Sequence, residues 1–206
     1  MPSTQAVLTP ATDQTPAVVK VGDELSGGQW VGRFPGSASL DALVEPFRTS
    51  VIRFKSALES AGAIVRISAT FRPKERAYLM HWSWKIVHGT DPNSVPPMDG
   101  VNIEWVHSSR DECIEAAQEM VDGYEIQNLG IPPALATRHT QRKAVDMRIT
   151  WHGNLAITNA SGQTITITSI PRTSMNTQLH AVGASYGVIK FLGGNSDKPH
   201  WSTDGH

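Results

Sequence analysis

The chain has one cysteine, Cys113, so it can form no internal disulfide and no cysteine-built zinc knuckle, and any metal must be held by histidine and carboxylate. Neither charge is in excess: 18 Lys+Arg against 19 Asp+Glu give a formal net charge of -1, unlike the clustered basic footprint of a nucleic-acid binder. No apolar run approaches the ~18 residues of a membrane span. The first residues lack both a basic start and an apolar h-region, so no secretory signal is read there. No unit of about 20–50 residues recurs, which removes solenoids and propellers. What is left, at 206 residues of which 39% are hydrophobic, is one sizeable domain.

Residues 1–28, rich in Thr, Pro, Gln, Ala, Ser and Gly, read as a flexible lead or linker, and residues 29–206 as the folded unit, beginning at Trp30. Leu40, Val44, Phe47, Val51, Phe54 and Leu58 recur at three- and four-residue steps, which predicts a short turn and then a helix ending near Ala61. A β-branched strand follows over 63–70, then a helix over 74–87 and a proline-rich loop over 90–107. Ser109 and Glu112 have the spacing of a capping box and start a third helix. A strand is expected over 144–151, and a hairpin around Asn159-Ala160-Ser161-Gly162. A short helix over 177–184 and a strand over 187–191 complete the pattern. Helices and antiparallel strands in separate runs make an α+β domain.

The chemistry concentrates in three places. His139 precedes Asp146 by seven residues, with Asp146 in an expected strand; Asp197 precedes His200 by three, with Pro199 stiffening the backbone between them; and Ser68-Ala69-Thr70-Phe71-Arg72 ends a strand on an arginine. A catalytic zinc takes three protein ligands and keeps one position open, and two histidines with one carboxylate are an established ligand set. His139, Asp146 and His200 meet that need. Asp197 is then placed to take a proton from water and pass it to a leaving amine, and Arg72 to stabilise an oxyanion or hold a substrate carboxylate. His81 and His88 lie two helical turns apart, too far to share an ion. Of the six tryptophans only Trp201, beside His200, is assigned to the wall of a cleft. Cys113 reads as a buried small hydrophobe.

The order of these three motifs, over about residues 68–202, resembles the zinc peptidases of the D-Ala-D-Ala carboxypeptidase and L-alanyl-D-glutamate endopeptidase type, which share the Hedgehog fold. The resemblance implies an antiparallel sheet with flanking helices of Hedgehog/DD-peptidase type, Zn2+ as cofactor with ligands His139, Asp146 and His200, a general base at Asp197 and an anion-stabilising Arg72. Two positions depart from it. Arg142 stands where the family motif His-x-x-Gly-x-Ala-x-Asp carries glycine, and Asp197 where many members have glutamate. The stretch over 75–84 is similar to a bacterial subgroup of wall-lytic effectors and phage-like enzymes, which adds His81 to the expected cleft; Ser68, at the head of the first motif, is expected there as well.

The implied activity is zinc-dependent hydrolysis of an amide in or next to the peptidoglycan stem peptide, by an endopeptidase, a carboxypeptidase or a muramoyl-L-alanine amidase. Peptidoglycan is then the substrate, and a delivery or inhibitor protein a further partner. A chain made in the cytoplasm would reach the periplasm or wall through phage lysis or specialised secretion. The alternative is a non-catalytic zinc-containing binding or adaptor module of the same fold, against which the acid at Asp197 argues.

Overall fold

A computed structural model describes residues 24–206, so the expected lead lies, for residues 1–23, outside the described residues. Its last residues are not a lead. Glu24–Leu25 form a short strand, β1, which pairs in parallel with Ile103–Glu104, so built structure begins before Trp30. Trp30 itself is 3% exposed.

Helix α1 spans Phe47–Ser60 and buries Phe47, Val51, Phe54 and Leu58, one stripe at steps of three and four. Strand β2 (Ile64–Ala69) leads into α2 (Lys74–Val87), which begins directly after Pro73, a residue suited to a helix start. The loop that follows carries β3 (Ile103–Glu104), the partner of β1. Helix α3 (Arg110–Gly123) opens as its spacing predicts: Ser109 Oγ accepts from Glu112 N–H at 3.2 Å. The returning carboxylate, Glu112 Oε2, accepts instead from Ser108 N–H, also at 3.2 Å.

Strand β4 (Ala144–Thr150) comes next, and then the hairpin of β5 (Leu155–Thr158) and β6 (Thr164–Ile167). Asn159 Oδ1 accepts from the N–H groups of Ser161 and Gln163 at 3.1 and 3.0 Å, which holds the hairpin turn. Helix α4 (Thr177–Ser185), β7 (Ile189–Lys190) and β8 (His200–Ser202) end the chain. The architecture is α+β, as expected.

The main sheet has the order β2-β4-β8-β7, with every pairing antiparallel. One face is covered by α1, α4 and the hairpin around a core that includes Phe54, Leu58, Met147, Ile149, Ile157, Leu179 and Trp201. A second core joins α2 and α3 through Tyr78, Leu79, Met120, Trp30 and Trp105. No helix among the described residues is long and apolar enough to cross a membrane.

Candidate metal centre

Strand alternation builds two thirds of the site. On β4, Val145, Met147 and Ile149 point into the first core, so Asp146 points to the other face. On β8 the same alternation sends Trp201 inward and His200 outward. The register places Asp146 opposite His200 and Val145 opposite Trp201, which sets the carboxylate and the imidazole side by side.

His139 arrives by a turn. Lys143 N–H donates to the Arg138 carbonyl at 2.8 Å and Arg142 N–H to the His139 carbonyl at 3.1 Å, the paired closure typical of a helix C-terminus. That closure requires a left-handed residue, and Arg142 has φ 61°, so this is a place where glycine would be at ease. Arg142 therefore meets the backbone requirement of this turn. Its guanidinium lies over the Phe71 ring, 4.5 Å from the centroid, a contact that offsets part of the backbone cost. The turn is also tied to its surroundings: Arg72 N–H donates to the His139 carbonyl at 3.3 Å, and Arg138 pairs with Asp204.

Three donor atoms meet where these segments converge. His139 Nε2 lies 3.1 Å from Asp146 Oδ1 and 3.2 Å from His200 Nδ1, and His200 Nδ1 lies 3.3 Å from the same Oδ1. Hydrogen bonds alone cannot satisfy this triangle, because an imidazole N–H points along one edge at a time. A cation can. Tetrahedral ligands at 2.0–2.1 Å from zinc stand about 3.3–3.4 Å apart, close to all three observed edges. The centre is closed on the protein side, with His139 2% and His200 5% exposed.

The outer groups help the donors face inward. His200 Nε2 lies 3.1 Å from the His206 carbonyl, which can only accept, so Nε2 donates there and Nδ1 is the nitrogen turned toward the centre. His139 Nδ1 has no such support and is buried without a partner. Burial alone would raise the Asp146 pKa, but hydrogen bonds from His139 and then His200 outweigh it and hold the carboxyl well below its ordinary range. Burial works against the charged form of His200, yet its bond to Asp146 carries the ring above its usual value.

Asp197 stands at the rim, its Oδ2 3.8 Å from His200 Nδ1 and its side chain 45% exposed, so it borders both the centre and solvent. Partial burial, and then the negative charge of Asp146, raise its pKa. Behind it is a residue that the sequence reading passed over as part of a strand. Lys190 is buried, with Nζ donating to the carbonyls of Asp197 at 3.1 Å and His200 at 2.9 Å. It thus fixes both ends of the Asp-Lys-Pro-His segment. The available signal was one lysine in an otherwise apolar strand, where a buried charge demands partners.

The remaining expected site residues divide. Ser68 and Arg72 line a cavity beside the centre. His81 does not join them: its Nδ1 is 2.8 Å from the Pro133 carbonyl, and its ring sits edge-on to Trp82, a structural engagement between α2 and the loop before His139. Trp201 is not a cleft wall either. It is 0% exposed, packed against Phe54 and His180 with centroids at 5.5 and 5.6 Å. The reason is the two-residue period of a strand: a neighbour of an outward His200 must point inward. Gly183 makes room for it, since a Cβ there would come within 2.7 Å of the indole. Cys113 is buried, as its helix face implied. Comparison with protein-family models, with curated proteins and with solved structures gives no match to this chain.

Proposed function

We propose that the chain is a zinc-dependent hydrolase acting on an amide in or next to the peptidoglycan stem peptide, in a fold of Hedgehog/DD-peptidase type. The observation that carries the metal is the triangle of His139, Asp146 and His200, whose 3.1–3.3 Å edges suit a tetrahedral cation. The substrate class comes from the motif resemblance. Zinc held there supplies Lewis acidity and lowers the pKa of water to about 7.

The chain's own residues do the rest. Asp197, at the solvent rim of the centre, accepts a proton from the attacking water and returns it to the leaving amine. Lys190 holds the backbone on which Asp197 and His200 stand. Arg72, on the wall next to the centre, stabilises negative charge on the carbonyl oxygen or holds a carboxylate of the substrate.

The test is digestion of purified sacculi with and without a chelator, followed by mass spectrometry of the new termini. Free muramoyl carboxyl groups identify an amidase, and new amino-terminal D-Glu an endopeptidase. Asp197→Ala is expected to keep its zinc and lose about 10²–10⁴-fold in rate. Unchanged cleavage by that variant would remove Asp197 from the mechanism. A parent protein that holds zinc and cleaves nothing would make the chain a binding module.

A further inference from the structure

Beside the centre lies a cavity of about 520 Å³, the size of a small-ligand site. One wall is the segment Ser68, Ala69 and Arg72, and this segment is bonded to two of the three candidate ligands. Ala69 is the cross-strand partner of Asp146, Ser68 Oγ donates to the Asp146 carbonyl at 3.5 Å, and Arg72 N–H donates to the His139 carbonyl at 3.3 Å. The facing wall is α2, which contributes Arg76.

Among the described residues no carboxylate lines this cavity, while two arginine side chains do. Their states differ. The Arg72 side chain makes no hydrogen bond or ion pair with the described residues. Arg76 is held in place: its guanidinium lies 4.7 Å over the Tyr124 ring, and Nη1 donates to the Val31 carbonyl at 3.1 Å, which leaves its other N–H groups for a ligand. Burial, and to a lesser degree the nearby charge of Arg72, work against the protonated form of Arg76. Two cations facing one acid-free cavity repel each other, and a bound anion relieves that repulsion.

We infer that this cavity is the subsite for a carboxylate of the peptide, with Arg76 the residue that recognises it and Arg72 its second arm. The guanidinium fork matches a planar carboxylate two bonds at a time, and the contact with Tyr124 and the bond to the Val31 carbonyl hold the Arg76 guanidinium in place before the ligand arrives. That the carboxylate belongs to a peptide rests on the hydrolase reading above; the positive, acid-free cavity does not.

Calorimetric titration of the full chain tests this without requiring turnover. The probes are the stem tripeptide L-Ala-D-Glu-L-Lys with free carboxylates and the same peptide fully amidated. The free form is expected to bind the parent at least about 10-fold tighter. Arg76→Gln and Arg72→Gln should each cut that preference below about 3-fold, while Arg110→Gln, an equal charge change outside the cavity, preserves it. Arg72→Gln breaks no side-chain hydrogen bond among the described residues, so the result does not hinge on the folding of Arg76→Gln. Equal binding of the two probes, no binding of the free form at millimolar concentration, or a preference that survives both cavity variants would overturn the assignment. Displacement of the probe by inorganic phosphate at lower concentration than by acetate would also overturn it, in favour of a phosphate site. A charge preference without cleavage of sacculi would leave the subsite standing and remove the hydrolase reading; cleavage without the preference would do the reverse.

Discussion

The two faces of the β4–β8 pair carry opposite chemistry within one residue of each other. Val145 and Trp201 sit side by side on the core face, both 0% exposed, while Asp146 and His200 sit side by side on the other. One register therefore aligns a packing anchor and a candidate ligand pair together. Rigidity on the first face becomes precision on the second, because the ligand backbones cannot shift without moving the indole.

Substitutions on the two faces are expected to separate these roles. Trp201→Ala removes the largest fully buried side chain and should cost about 3–5 kcal/mol in denaturant unfolding. His200→Ala should instead lower zinc affinity by at least about 100-fold, more than the loss of an outer hydrogen bond does, with metal-free stability much less affected than by Trp201→Ala. Equal stability losses in the two variants would break the comparison.

A smaller effect is expected between the faces, at Lys190. Lys190→Met takes a charged donor from two carbonyls and should cost about 2–3 kcal/mol by denaturant titration at neutral pH. A loss below about 0.5 kcal/mol would show that the segment from Asp197 to His200 holds its place without the lysine.

The smallest effect lies at the outer edge of the His139 turn. Asp204 accepts from Arg138 through both carboxylate oxygens. Those bonds, against a small burial effect, hold its pKa down to about 2, below the ordinary aspartate value. A depressed carboxyl pKa contributes stability that is present above the unfolded value and lost as pH falls through the folded one. Asp204 is partly exposed, so solvent screening reduces the contribution to less than about 1 kcal/mol, lost between about pH 4 and pH 2. Thermal melts across that range should show a shallower acid limb for Asp204→Asn than for the parent, and parallel limbs would exclude the pair as a contributor.

The same two faces explain how much the sequence revealed. The apolar stripe of α1, the Ser109 cap, the Asn159 hairpin turn and the alternation of β4 are local patterns with local causes, and each element formed close to its expected bounds. The grouping of His139, Asp146 and His200 was legible through motif order, since no local rule connects residues 61 apart. Strand β8 has three residues and no alternation to read, so the inward turn of Trp201 appeared only with its register against β4. Strand β1 and the Arg76 cavity were hidden for a like reason: each depends on a partner distant in sequence. Arg142 is the instructive exception. It stands where the resembled motif carries glycine, yet it takes up the left-handed conformation that the turn requires, with φ 61° and a contact to Phe71.

Metal analysis of the purified chain tests the central claim most directly: zinc titration with elemental quantification, and X-ray absorption of the loaded protein. The account predicts one zinc per chain, two imidazoles among its ligands, and loss of that zinc in His139→Ala. A chain that takes up no zinc at stoichiometric loading, or a His139→Ala variant that keeps its full complement, would contradict it.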